Sequence, residues 1–333
     1  MRPRSALLTA AAATIALAAT ACGSGSGGGD KTELTLVAYS TPQAAYEKII
    51  AAFQQTAAGK NIDFKQSYGA SGDQSRSVES GRDADIVAFS LEPDITRLVK
   101  DGIVAPNWNA NKYHGMVTDS VVSLVVRKGN PKHIKDWLDL AKSGIKVVTP
   151  NPFSSGSAQW NIMGAYGSVR KSGGSDKGAT EFLSKVLKNT VVQDESGRKA
   201  LQTFTSGAGD VLISYENEAI FAQQNHQPLD YVIPNNTLLI ENPVAVTKNS
   251  KHPEAAKKFL NFLYSDTAQK IYAENGYRPV TKVKISQKFK KPSGLFTIQY
   301  FGGWPAVTKK FFDPKTGSVA AIEKNLGVSV DKK

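Results

Sequence analysis

The chain has 333 residues, a formal charge of +12 at pH 7, four histidines and a single cysteine. One cysteine excludes an intrachain disulfide, so burial of a core must hold the fold, and the length is typical of two lobes. The basic balance suits small anions, anionic lipid or nucleic acid. The lysines are dispersed, however, and no RNP, zinc-finger or basic-helix motif accompanies them, which sets nucleic acid aside.

Arg2 and Arg4 precede an apolar run from Ala6 to Ala19, followed by Thr20-Ala21-Cys22. A basic start, a short apolar stretch and small residues before a cysteine read as a lipoprotein signal peptide over residues 1–21. Position 19 is Ala where a lipobox usually carries Leu. Cleavage there would leave Cys22 as a lipidated first residue and lower the formal charge by two. Residues 22–32 contain GSGSGGG and read as a flexible tether. No later stretch is long and apolar enough to span a bilayer. The expected location is extracytoplasmic, lipid-anchored to the cell membrane.

Beyond the tether, strand-like and helix-like segments alternate, which predicts α/β layers. Glu33–Tyr39 reads as a strand, and Thr41-Pro42 opens a helix with Ala45, Ile49 and Phe53 on one face. Asn61–Ser67 is a second strand, Ser71–Ser80 a polar helix and Asp85–Phe89 a buried strand. Val121–Arg127 is strongly β-branched and ends at Lys128-Gly129-Asn130-Pro131. Residues 132–142 read as helical, and Ile145–Thr149 as a buried strand running into Ser154-Ser155-Gly156-Ser157 and a helix over 157–167. Helices are expected over 180–188, 198–204 and, as one long amphipathic unit, 254–272. The segment VLISYENEA (211–219) reads as an apolar strand followed by a short acidic one. Strands at 121–127 and 238–246 are candidates for crossovers between lobes, giving lobe I as 33–119 with 245–333 and lobe II as 120–244.

His114, His133, His226 and His252 have no metal-ligand spacing, and no nucleophile elbow is present. Glu216 and Glu218 alternate as an acid/base pair would, but nothing supplies them a partner. No catalytic constellation, metal site or cofactor motif emerges, so an enzyme is not expected. A different chemistry recurs at predicted loop-to-helix junctions: Ser40 before the first helix, Ser71 at the second, Ser155-Gly156-Ser157 before the 157–167 helix, and Gly197 before the 198–204 helix. A helix start carries unpaired N–H groups and partial positive charge, and Ser or Gly lets an anion approach closely. For any one of them the plainer reading is an N-cap, worth about 1 kcal/mol.

Jointly, these stretches resemble the sulfate-binding proteins of ABC sulfate/thiosulfate importers. Ser67–Gln74 matches the S-x-G-x-S-G-x-Q stretch with Ser71 in place, and Asn151–Ala158 matches the N-P-x-[ST]-S-G-x-A turn. Phe301-Gly302-Gly303-Trp304 and Arg127–Pro131 are also family-like. The resemblance implies a two-lobed periplasmic-binding-protein-like α/β fold of the discontinuous type II, with a ligand cleft between lobes. It implies a monomer that binds sulfate or a related tetrahedral oxyanion through Ser40, Ser71, Ser155, Gly156, Ser157, Gly197 and Tyr215. Delivery would be to ABC permease subunits and their ATPase. This chain departs from the pattern at Ser40, where the family has Asp after Tyr, at Tyr215, where sulfate members place a Trp, and at Glu195, where they carry a small residue. Molybdate or tungstate is the alternative ligand within the fold. A secreted enzyme or a polyanion-binding adhesin are the alternatives from other classes.

Overall fold

The first strand is apolar on both faces, since Leu34, Leu36, Val37 and Ala38 are all fully buried, the pattern of a parallel strand covered by helices on each side. A computed structural model describes residues 31–331. Residues 1–21, Cys22 and most of the 22–32 tether lie outside the described residues. The elements run β1 (Thr32–Tyr39), α1 (Gln43–Gln54), β2 (Ile62–Gly69), α2 (Ser71–Glu79), β3 (Ile86–Ala88), α3 (Glu92–Lys100) and β4 (Met116–Arg127). There follow β5 (Val147–Pro150), α4 (Gly156–Lys171), α5 (Asp176–Lys188), β6 (Thr190–Asp194), α6 (Gly197–Thr205), β7 (Val211–Tyr215), α7 (Glu216–Gln224) and β8 (Leu229–Val232). The chain ends with β9 (Leu239–Val246), α8 (Pro253–Phe262), α9 (Asp266–Glu274), β10 (Arg278–Pro279), α10 (Gly303–Val307) and α11 (Ser318–Asn325).

The strands form one connected ladder in the order β2-β1-β3-β9-β4-β7-β5-β6, with β8 and β10 both on β4. On one side β1 pairs in parallel with β2 and β3. On the other, β5 pairs in parallel with β6 and β7. Between them β4 and β9 run antiparallel: the start of β4 pairs with β9, and its end pairs with β7 and β8. These two strands therefore join the two sets of parallel strands. The ladder slips between Met116 and Thr118, opposite Pro243, which has no N–H to give it.

Each half has its own core. In the first, Ala45, Tyr46, Ile49, Ile50 and Phe53 of α1 pack toward β1 and β2, and Phe53 meets Phe259 of α8 edge-on at 5.3 Å between ring centres. In the second, Trp137, Trp160, Tyr166 and Phe182 pack with Phe296, Trp304, Phe311 and Phe312. Trp160 and Trp304 meet edge-to-face at 4.6 Å. The stretch containing residues 296–319 thus packs with the second half, whereas the expected boundaries assign it to lobe I. The reason is its aromatic density, which finds a matching surface on α4 and α5.

Three local expectations differ from the structure. Residues 132–142 make only a 3₁₀ turn, Trp137–Ala141, because Asn130 and His133 adopt positive φ and break any earlier helix. The expected 254–272 helix is two, since Ser265 turns the chain and caps α9 by accepting from the Ala268 N–H at 3.2 Å. Residues 216–218 open helix α7 rather than a strand, in keeping with carboxylates at a helix start.

On the crossover strands, Asp119 of β4 lies directly opposite Glu241 of β9 and opposite Arg278 of β10. Burial, reinforced by Glu241 and opposed by Arg278, pushes the Asp119 carboxyl up to about 7. An unfolded aspartate titrates near ~3.9. The native state therefore holds this proton more tightly, and stability from it is complete below the unfolded value and lost as pH rises toward about 7. Asp119→Asn should gain stability over wild type by more at pH 8 than at pH 4 in urea unfolding. An equal difference at both pH values would contradict the assignment.

Candidate functional site

In a parallel βα unit the helix starts where the strand ends, so helix N-termini gather along the carboxyl edge of a sheet. Here β1 and β2 lead into α1 and α2 from one half, while β5 and β6 lead into α4 and α6 from the other. The two sets meet. The Gly72 N–H donates to the Ser154 carbonyl at 3.1 Å, joining the start of α2 to the turn before α4. A Cβ on Gly156 would lie 2.8 Å from both the Cβ and Oγ of Ser90, in the loop after β3. A Cβ on Gly197 would lie 2.7 Å from Ser157 Oγ and 3.3 Å from the Thr41 methyl. Glycine is needed at both positions for close approach.

The structure therefore gathers Ser71, Ser155, Gly156, Ser157, Gly197 and Tyr215 at one buried junction. Ser40 joins its edge through its neighbour Thr41, whose carbonyl accepts from Arg198 at 2.8 Å. Glu195, which would repel an anion if it pointed inward, is exposed, and its carbonyl accepts from Ser154 Oγ.

The plain N-cap reading can be tested at each helix. Ser175, Ser196 and Ser265 are caps, each accepting an N–H at the start of α5, α6 or α9. Ser155 precedes α4 in the cap position yet makes no capping bond, and its Oγ instead pairs with Ser157 Oγ at 3.0 Å. Ser71 is already inside α2, which Ala70 precedes without a side-chain cap. The Ser71 hydroxyl donates to Asp94 Oδ2 at 2.6 Å and accepts from the Ser90 N–H at 2.9 Å. That hydroxyl hydrogen is committed to Asp94, so what Ser71 offers a ligand is the N–H of a helix start.

Tyr215 is fully buried at the end of β7, and its hydroxyl shares a 2.6 Å hydrogen bond with Ser90 Oγ. Burial, and then the field of Tyr39, hold the phenol pKa well above its ordinary value, so it stays a neutral hydroxyl. Formal charge near the junction is paired. Arg198 meets Glu218 through two 2.8 Å bonds and stacks on Phe221 at 3.9 Å. Arg278 meets Glu216 at 2.7 Å. The two glutamates weighed as an acid/base pair are each bound to an arginine instead.

Sequence reasoning missed Ser90, Thr41, Arg198, Trp160 and Asn242. The signal for Ser90 was present: a buried strand followed by Glu92-Pro93, the same strand-to-helix junction that marks the other positions. Arg198 and Glu218 are 18% and 1% exposed, so removing one partner strands a charge. Glu218→Ala should cost about 3–5 kcal/mol in urea unfolding. Arg198→Met combined with Glu218→Leu should recover most of it, and a double variant as unstable as the single one would contradict the pairing.

Residues 34–278 match the model of the bacterial extracellular solute-binding proteins. A sulfate-binding protein of Synechococcus elongatus is 42% identical over 292 residues, covering 84% of this chain and 83% of its own. A thiosulfate-binding protein of Escherichia coli is 37% identical, covering 84% of this chain and 88% of its own. Among solved structures, the sulfate-binding protein SubI from Mycobacterium tuberculosis superposes with a TM-score of 0.81 at 43% identity, covering 85% of this chain and all of that one. Periplasmic binding proteins near 20% identity share the fold as well, which bears out the expected fold class. The chain belongs to the bacterial extracellular solute-binding proteins, among relatives that include sulfate- and thiosulfate-binding proteins.

Proposed function

We propose that this protein captures sulfate, or its analogue thiosulfate, at the junction of α2, α4 and α6 and delivers it to the permease of an ABC importer. The observation that carries this reading is the pair of hydroxyl- and glycine-bearing helix starts, α2 and α4, that no side chain caps and that face each other from opposite halves. Such ends present N–H donors and partial positive charge without a free cation. The nearby arginines are paired with carboxylates: Arg76 with Asp73, Arg97 with Asp94, Arg198 with Glu218 and Arg278 with Glu216. A donor-rich, charge-neutral site suits a dianion with no proton of its own to place, because a protonated anion would leave that proton without an acceptor. Relatives at 36% to 42% identity are sulfate- and thiosulfate-binding proteins.

In this reading the backbone N–H groups of Ser71, Gly156, Ser157 and Gly197 provide the main contacts, Ser155 and Ser157 add hydroxyls, and Ser40 and Tyr215 close the site. Rotation of two lobes about β4 and β9 admits the anion, and closure replaces its water with fixed dipoles. The lipidated Cys22 and the 22–32 tether hold a monomer outside the membrane, within reach of the permease.

Calorimetry on Gly156→Val tests the site. A Cβ there would press on Ser90 and Leu91 as well as on the anion. Sulfate affinity should fall by about 1.5–3 kcal/mol, the range for hydrogen bonds to charged groups. Wild-type affinity in the variant would count against this location. The anchor is tested separately: Cys22→Ser should release the protein from membranes with sulfate binding unchanged, and a wild-type chain that takes up no labelled fatty acid would refute lipidation.

A further inference from the structure

Ser90 is fully buried, and both polar groups of its backbone are engaged. Its N–H donates to Ser71 Oγ at 2.9 Å. Its carbonyl accepts from Trp160 Nε1 at 2.8 Å and from Asn242 Nδ2 at 3.2 Å. Its backbone is thus fixed from α2, α4 and β9 at once, far more than a loop residue needs for its own folding. The side chain so positioned faces Gly156, the first residue of α4, where a Cβ would lie 2.8 Å from Ser90 Oγ. On the other side the same oxygen meets the Tyr215 hydroxyl at 2.6 Å, a contact between the half built on β3 and the half built on β7.

Hydrogen counting orders this pair. Each hydroxyl has one hydrogen and two lone pairs, so a bond between them leaves one hydrogen over. Ser157 and Asn242 also lie close enough to the phenol to act on its pKa, against the effect of burial. The phenol is also the stronger acid of the two and the better donor. With Tyr215 donating to Ser90 Oγ, the hydrogen left over is that of Ser90, beside the open start of α4.

We propose that Ser90 is an anion-contacting residue and that Tyr215 is its positioning residue: the phenol donates to Ser90 Oγ, and the Ser90 hydroxyl donates to the bound oxyanion. This rests on the sulfate reading above. It changes what Tyr215 does, from a direct donor to one that acts through a residue on the opposite wall. Ser90 also becomes part of the closing contact, since its donor points at the anion only while Tyr215 is within reach.

The test is sulfate titration by calorimetry, with stopped-flow release rates, on wild type, Ser90→Ala, Tyr215→Phe and the double variant. Ser90→Ala should lose about 10- to 100-fold in affinity, as a hydrogen bond to a charged group implies. Tyr215→Phe should lose about 3- to 10-fold, the scale of one neutral hydrogen bond, through faster release. The double variant should match Ser90→Ala alone, because Tyr215 works only through Ser90. Ser90→Cys, which keeps the size with a weaker donor, should fall between wild type and Ser90→Ala and guards against misfolding of the alanine variant. A Tyr215→Phe loss equal to or larger than that of Ser90→Ala, or additive losses, would overturn the relay. Unchanged affinity in Ser90→Ala would remove Ser90 from the site while leaving the sulfate reading standing. A wild-type chain that binds no sulfate would overturn that reading and this one together.

Discussion

An N–H in the first turn of a helix has no partner within that helix, and burying it unpaired costs free energy on the order of 1–3 kcal/mol. Helices α5, α6 and α9 meet this need locally, each with a serine cap. The starts of α2 and α4 are buried without a side-chain cap, and the Gly72 N–H of α2 pairs instead with the Ser154 carbonyl in the turn before α4. That pairing across the junction, rather than within each loop, organises the site. It explains why Gly156 and Gly197 sit where any side chain would collide, and why serines crowd the junction without serving as caps.

The same requirement dictates how charge is handled. A cationic side chain at the junction would satisfy an anion by itself, but would bind phosphate or a carboxylate nearly as well. Arg198 and Arg278 instead face Glu218 and Glu216, at the cost of desolvating both pairs. What remains at the junction is a set of backbone and hydroxyl dipoles between two core clusters. The constraint on them is visible in Ser90, whose backbone is tied to three elements and whose position depends on Trp160 being packed against Trp304. The crossover strands β4 and β9 join the two sets of parallel strands whose helix starts meet there.

Much of this was legible in the residues, and the remainder shows what sequence patterns encode. Strands with continuous apolar runs, such as β1 and the end of β4, were readable because burial on both faces leaves few polar positions. The loop-to-helix junctions were readable because Ser and Gly have a local physical reason to be there. Breaks such as the one at Ser265 were hidden inside a helical period that continues across them. The packing of 296–319 depends on aromatic contacts with residues more than a hundred positions away, and no local pattern carries that information. Ser90 escaped notice because its importance comes from partners on α2, α4, β7 and β9, none adjacent in sequence. Arg198 was hidden for the same reason: a charge beside Gly197 looks like solvent-exposed surface until Glu218 and Thr41 are placed against it.

The central claim is that one small dianion is held by neutral dipoles in a closed junction. Its most direct test is calorimetric titration of the intact protein with sulfate at low and high sodium chloride. The account predicts one sulfate per chain, with affinity nearly independent of salt because the donors are buried and fixed. A flat titration would contradict it. So would binding that collapses as salt rises, since that is the behaviour of a diffuse basic surface rather than a built site.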